Sequence, residues 1–394
     1  MVPALLALAR LLGRRLGGTG GGRAAVVVTA VLPWTMRFGS ETRMYLLVSV
    51  LVMAGALLLL DVRAAPTRAR VLGLGLVVAA LLLTHYWSLF LLALVGLWHL
   101  PGALRRSRPE LSVVGALLLG GALFLPWLPT LLFQAAHTGA PWATPPGVLD
   151  LLRTPTFWGG GPDASRYLLV AVLLPLIVFG ALRSRAARAL VVVGLGALLL
   201  AWTQTAVLGG AYTGRYTAVA VPLVAVAAGL GALALPGPRL PLVALGLLAA
   251  VGVSTGVPAT GVSRSSAEQV ARAVRAVAGP GAVVAYCPDQ LAPPVQRLLG
   301  PSYEGLVYPT LGRPERVDWV DYAARQAAAD PVEVAGRLDA RTGSRPLLVL
   351  AARGYRTFGD QCQVMLEALE QRRGPATLHF GNAGTTGQLL YSFG

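Results

Sequence analysis

The first two thirds of the chain read as apolar runs separated by short polar segments. The runs cover residues 24–36, 44–60, 71–104, 111–133, 167–182, 189–208, 216–235 and 240–257. A helix rises 1.5 Å per residue, so about 20 apolar residues cross a hydrocarbon layer. The pattern predicts a polytopic α-helical membrane protein, with the first run the weakest of the spans.

The polar segments alternate in charge, and the alternation predicts sidedness. Arginines gather at Arg14, Arg15 and Arg23, at Arg63, Arg68 and Arg70, at Arg105, Arg106 and Arg108, and at Arg183, Arg185 and Arg188, with Arg239 later. Cytoplasmic segments are the basic ones, so these clusters are expected inside. Run 71–104 has such a cluster at both ends and must therefore cross twice. Its only polar interruption, Thr84-His85-Tyr86-Trp87, is then the turn, near the outer face. Segments 134–166 and 209–215 become outer loops, and everything after Val257 lies outside.

The residues before the first run do not fit a signal peptide. Apolar residues 3–12 precede Arg14 and Arg15, the reverse of the signal-peptide order. They read as the tail of a helix whose beginning is missing.

The last third has another character. Of 17 acidic residues only Glu41, Asp61, Glu110, Asp150 and Asp163 precede Val257. That shift divides the chain into a membrane domain, 1–260, and a small extracytoplasmic α/β domain, 261–394. There, Ser265-Ser266-Ala267-Glu268 reads as a capping box opening a helix that runs to about Ala278. Strands are expected at 282–286, 346–351, 377–380 and 388–393. Helices are expected at 292–299, 319–329, 332–338 and 361–372. Strands alternating with helices predict a partly parallel sheet. Cys287 and Cys362, the only cysteines, both fall here. Thiols outside the cytoplasm tend to oxidise, so a disulfide between them is expected, with two buried free thiols as the alternative.

The net charge of +16 invites a nucleic-acid reading. The arginines instead sit between apolar runs, and no basic stripe with interleaved aromatics is present, which excludes nucleic acid as the partner. Every basic residue apart from histidine is an arginine, which we ascribe to genomic base composition. Four scattered histidines (His85, His99, His137, His379) lack metal-ligand spacing.

Polar groups at the outer ends of apolar helices are costly to place, which makes them candidate functional residues. Arg37-Phe38-Gly39-Ser40-Glu41-Thr42-Arg43-Met44-Tyr45 places a carboxylate between guanidinium groups, a set that can hold a phosphate and stabilise a leaving oxyanion. The plainer alternative is an interfacial ion pair with an aromatic anchor. His85 and its aromatic neighbours form a second cluster, with a purely structural histidine as the alternative. The loop bearing Gln134, His137, Thr138, Trp142, Asp150, Phe157, Trp158 and Asp163 suits a sugar or lipid headgroup. Its prolines equally fit an interfacial loop. Arg215, in Thr213-Gly214-Arg215-Tyr216, either meets a lipid phosphate or snorkels.

Taken in order, several short motifs resemble the GT-C superfamily of membrane glycosyltransferases, in particular protein O-mannosyltransferases and aminoarabinose transferases of actinobacterial type. They are Gly13-Arg14-Arg15-Leu16-Gly17, Ser40-Glu41-Thr42-Arg43-Met44-Tyr45, Thr84-His85-Tyr86, and Pro126-Trp127-Leu128-Pro129 with Gln134. His137-Thr138-Gly139, Pro141-Trp142 and Gly214-Arg215-Tyr216 with Pro222 follow, then Cys287-Pro288-Asp289-Gln290 and Trp319-Val320-Asp321-Tyr322.

The resemblance implies a GT-C-like helical bundle in the plasma membrane. Its activity would be transfer of a sugar, mannose by resemblance, from a polyprenyl-phosphate carrier to a glycan, lipid or protein acceptor at the outer face. Glu41 matches the family's second acidic position, as the candidate catalytic carboxylate. Arg43 and Arg215 match phosphate contacts, and Tyr45, His85, Tyr86, Gln134, His137, Trp142 and Tyr216 are the expected substrate contacts. No cofactor is implied beyond the lipid-linked donor, and use of a divalent cation stays open. The family's first span and acidic first outer loop have no counterpart here, so the expectation is a misplaced start or a fragment of a longer protein, with a catalytically incomplete protein as the alternative. A transporter would show internal repeats and broken helices meeting near the midplane. A cell-envelope scaffold whose outer domain binds a partner is the remaining alternative.

Overall fold

The computed structural model describes residues 1–140, 142–160, 165–263, 265–352, 355–381 and 387–393. The chain divides into two compact units. One comprises Met1–Leu131 and Thr144–Val262, the other Leu132–Ala143 and Ser263–Gly394.

The first unit is helical. It contains α1 (Val2–Val31), α2 (Pro33–Gly39), α3 (Tyr45–Ala64), α4 (Arg68–Thr84), α5 (Ser88–Leu104) and α6 (Arg108–Phe124), then α7 (Leu128–His137), whose second half belongs to the other unit. After these come α8 (Val148–Leu152), α9 (Ser165–Arg183), α10 (Arg185–Leu208), α11 (Val221–Leu233) and α12 (Leu240–Gly261). Among the described residues, five stretches are long and apolar enough to cross a membrane: Tyr45–Ala64, Arg108–His137, Ser165–Arg183, Arg185–Leu208 and Leu240–Gly261. Ser88–Leu104 and Val221–Leu233 are apolar but shorter.

Small residues set how closely these helices pack. In α1 the chain reverses at Gly17 and Gly18 (φ +67° at Gly18), a conformation that a side chain would strain. Its two limbs then pack on each other where Gly13 faces Gly21 and Ala25, and Gly22 faces Arg10. The apolar residues near the N-terminus are thus one limb of a helical hairpin, with Arg14, Arg15 and Arg23 around its bend. Central to the unit is α11, buried at every residue from Val221 to Ala232. A Cβ on Gly231 would lie 1.9 Å from the Leu176 carbonyl oxygen of α9, and one on Gly229 would lie 2.9 Å from the backbone of α1. Such contacts are how helices associate when their surroundings are as apolar as their own side chains.

The break inside residues 71–104 falls at His85–Trp87, between α4 and α5. Thr84 Oγ1 donates to the Ala80 carbonyl (2.6 Å), His85 turns extended, and the Ser88 amide donates to the His85 carbonyl (3.0 Å). Both helices then pack on α6.

The second unit is a three-layer α/β/α domain. Its strands are β1 (Val283–Cys287), β2 (Glu304–Val307), β3 (Leu347–Ala352), β4 (Thr377–Gly381) and β5 (Gln388–Phe393), in the order β2-β1-β3-β5-β4. β2, β1 and β3 run parallel, and β5 and β4 add antiparallel. Every residue of β1 and β3 is buried, as helices on both faces require. Val283, Ala285, Leu347 and Val349 pack with α16 (Pro331–Thr342, after the short α15, Tyr322–Ala327) and α17 (Gln361–Arg373). Val284, Tyr286, Leu348 and Leu350 face α13 (Ala267–Val277) and α14 (Ala292–Leu299). Cys287 and Cys362 are joined by a disulfide, tying β1 to α17 across 75 residues of sequence.

Two local expectations need correction, and one strand was missed. No capping box forms at Ser265: α13 is capped at Ser266, whose side chain makes no cap hydrogen bond. The helix expected over 319–329 is only Tyr322–Ala327, because Asp321 takes a left-handed conformation (φ +49°) immediately before it. β2 was not foreseen. At four residues it is short, and Gly305 weakens its strand pattern while letting the Gln296 side chain and Pro314 approach closely.

Candidate functional site

Three segments far apart in sequence converge in the helical unit. The first begins where Pro33 ends α1: Leu32, ahead of a proline, is extended, and α2 starts anew at Pro33. About two turns later α2 closes at Gly39, and residues 40–44 lead into α3 at Tyr45. In this turn the Glu41 carboxylate is held between two guanidinium groups. Arg37 Nε donates to Oε1 (3.2 Å), and Arg43 Nε lies 3.8 Å from Oε2. The carboxylate is 7% exposed, whereas the arginine side chains are about half exposed. Arg37 and Arg43 therefore present more charge outward than Glu41 neutralises.

The second segment is the α4–α5 break. The Trp87 amide donates to His85 Nδ1 (3.2 Å), so the neutral imidazole carries its proton on Nε2 and offers a donor on the ring's other side. The third is the short helical turn Gly214–Val219 ahead of α11. Trp34 Nε1 donates to the Gly214 carbonyl (3.1 Å), Trp158 Nε1 to Thr217 Oγ1 (3.1 Å), and Ser49 Oγ to the Ala218 carbonyl (3.1 Å). Gly214 has no room for a side chain, since a Cβ would sit 2.5 Å from Phe157. These contacts fix the backbone that carries Arg215 and Tyr216.

An aromatic chain links the three segments. Ring centroids are 4.6 Å apart for Trp34–Phe38, 5.1 Å for Phe38–Tyr45, 5.8 Å for Tyr45–His85 and 5.1 Å for His85–Tyr216. Trp87 adds contacts to Tyr216 (5.2 Å) and Tyr212 (5.4 Å). The Arg215 guanidinium stands 5.2 Å over the Tyr216 ring and acts electrostatically on both Tyr45 and His85, and Arg43 and Glu41 also act on Tyr45. Glu41, Arg43, Tyr45, His85, Arg215 and Tyr216 thus form one cluster, rich in guanidinium and phenol donors around a single carboxylate. It can bind an oxyanion by charge-assisted hydrogen bonds and offer ring faces to a neighbouring group.

Charged groups of another kind collect at the other end of α3. Arg15 pairs with Asp61 (2.8 Å), Arg63 with Glu110 (3.3 Å), and Arg70 donates to the Asp61 carbonyl (3.2 Å). Glu110 also meets His99. Tyr45 and Arg63 are 18 residues apart on one helix, or about 27 Å at 1.5 Å per residue.

The remaining expected contacts lie elsewhere. Tyr86 accepts a hydrogen bond from Trp127 Nε1 (2.9 Å). Gln134, His137 and Trp142 belong to the α/β unit, where His137 stacks on Phe133 and its Nδ1 lies 3.0 Å from Asp321 Oδ1. Asp150 caps α8 by accepting from the Gly147 amide (2.8 Å). Trp158 is a buried scaffold residue, and Phe157 packs on Gly214. The loop read as one headgroup site is therefore divided between two units. Asp163 and Pro141 lie outside the described residues. Tyr212 and Trp34 were missed. Tyr212 stands four residues before Tyr216, a repeat that could have drawn attention to it.

No protein-family model and no curated protein matches this sequence.

Proposed function

We propose that this chain is a membrane glycosyltransferase of GT-C type that moves a sugar from a polyprenyl-phosphate carrier to an acceptor at the outer face of the plasma membrane. The observation that carries the reading is the convergence of Glu41, Arg43, His85 and Arg215 from three separate segments. That set is matched to a sugar phosphate at the end of a long apolar helix. The roughly 27 Å between this cluster and the basic end of α3 is close to the ~30 Å of a hydrocarbon core. With the arginine-rich end in the cytoplasm, the cluster and the α/β unit lie outside. Many large apolar side chains of the helices also face outward, including Leu118, Leu97 and Leu242, which suits a lipid solvent.

In this reading Arg43 and Arg215 hold the donor phosphate, with Tyr45, Tyr216 and His85 Nε2 as further donors. An acceptor hydroxyl attacks the anomeric carbon from the face opposite the phosphate. The bond from that carbon to the phosphate oxygen breaks, and the guanidinium groups stabilise the charge that develops on the leaving oxygen. The hydroxyl proton passes to a carboxylate, for which Glu41 is the candidate in this chain. Mannose is the sugar the resemblance favours.

The test uses the full chain in lipid nanodiscs with polyprenyl-phosphate-mannose. Arg43→Ala and Arg215→Ala should each weaken donor binding about tenfold or more, and Glu41→Gln should cut release of polyprenyl phosphate by about a hundredfold. Donor affinity unchanged in both arginine variants would remove the cluster from the reaction.

A further inference from the structure

The α/β unit contains a polar cavity that the transfer reaction does not use. It lies beyond the carboxyl ends of β1 and β2 and measures about 620 Å³. β1 lies between β2 and β3, so the chain moves to one side of β1 and later to the other. Crevices at such switch points, beyond the carboxyl ends of the strands, are where open α/β sheets take ligands.

Two nearly inaccessible side chains line the cavity with polar atoms that have no hydrogen-bond partner among the described residues. They are the Tyr308 hydroxyl and Gln326 Oε1, each on a residue only 2% exposed. Arg325 Nε is a third such atom, although its other nitrogens hold Asp318. Buried polar atoms are normally satisfied, so unsatisfied ones converging on a cavity point to a ligand that satisfies them. Deeper in, Asp289 accepts from the Tyr322 hydroxyl, which itself accepts from Gln290 Nε2 (2.6 Å). Burial holds the Asp289 carboxyl above the ordinary carboxylate range, against the pull of that hydrogen bond.

The charges around the cavity balance. Arg313, Arg316 and Arg325 are set against Asp289, Glu315 and Asp318. A site built for phosphate or carboxylate would carry excess positive charge. This one offers donors and acceptors in equal measure, as a ligand of many hydroxyl groups requires, each hydroxyl both giving and taking a hydrogen bond. Next to Asp318, Trp319 rests on Tyr322 (4.9 Å between centroids) and stays partly exposed, a ring face of the kind on which sugar C–H surfaces stack. We infer that this cavity binds a neutral carbohydrate, with Tyr308, Gln326 and Asp289 reading its hydroxyl groups. The inference holds whether or not the helical unit transfers sugar.

Saturation-transfer NMR on the full chain in nanodiscs tests it, with methyl α-mannopyranoside, methyl β-glucopyranoside and methyl α-arabinofuranoside as probes. At least one glycoside should receive saturation. Tyr308→Phe, which keeps the ring and removes the hydroxyl, should weaken binding about tenfold. Arg316→Ala, at an exposed position, should weaken it without disturbing the core. Arg43→Ala should leave it intact, which separates this cavity from the donor cluster. Absence of transfer to all three glycosides, full transfer in both cavity variants, or displacement by inorganic phosphate would each overturn the inference.

Discussion

The two units bury apolar residues to opposite effect. In α13 of the α/β unit, Ala267, Val270, Ala271 and Val274 face inward while Glu268, Arg272 and Arg275 face out, the stripe of a helix that meets water. The long helices of the other unit show no such division. α12 buries Leu248, Val251, Gly252 and Gly256 and exposes Leu242, Val243 and Leu247. Both faces carry branched apolar residues; what marks the inner one is Gly252 and Gly256, which let the backbones at Val31 and Pro33 approach closely. One unit is organised by polarity and the other by close backbone approach at particular glycines, so different substitutions should damage each.

The largest effect is expected in the α/β unit. Replacing Cys287 and Cys362 together with alanine opens a loop of 75 residues and should cost about 4 kcal/mol. Hydrogen exchange on the full chain would then quicken in β1 and β3 and stay unchanged in α11. Equal acceleration in both units would contradict the comparison. For the helical unit, Gly231→Ala drives a methyl group into the Leu176 carbonyl and should cost about 1–3 kcal/mol. A change from glycine to alanine alters polarity little, so a lowered thermal midpoint in detergent isolates the effect of volume. An unchanged midpoint would mean that α9 and α11 do not pack this closely. A smaller loss of the same kind is expected for Gly214→Ala, which should displace Phe157 and weaken donor binding severalfold by shifting Arg215.

The smallest effect concerns charge. Arg345 and Arg341 hydrogen-bond Glu304 and hold its carboxyl below the ordinary range. A lowered folded-state value stabilises the fold above the unfolded value of about 4.3, and that contribution is lost as pH falls through the lowered value. Glu304→Gln should therefore cost no more than about 1 kcal/mol at pH 7, the pairs being partly exposed, and nothing in strong acid. A cost that persists at low pH would assign Glu304 a packing role instead.

Much of the architecture was legible along the chain because its signals are local. Run length marked the long helices, and His85 marked the break between α4 and α5. The shift in acidic residues near Val257 lies close to the step from Val262 to Ser263 between the units, but it gives no sign that Leu132–Ala143 also belongs to the second. Glu41, Arg43 and Arg215 drew attention because charge beside an apolar run is costly anywhere. Trp34 and Tyr212 did not, since aromatic residues in apolar segments are commonplace. Their importance lies in partners 180 and 58 residues away, at Gly214 and Thr154.

Sequence by itself determined most of the helical and extended stretches, where acidic residues begin to accumulate, and which few polar groups sit at helix ends. Those properties depend on neighbours within a few turns. Only the tertiary structure decided that Arg215 comes within electrostatic reach of Tyr45 and His85, that Trp142 and His137 belong to the unit with the sheet, and that Tyr308 and Gln326 face one cavity. Such meetings depend on how helices and strands pack, and packing is set by contacts between residues that the order of the chain leaves far apart.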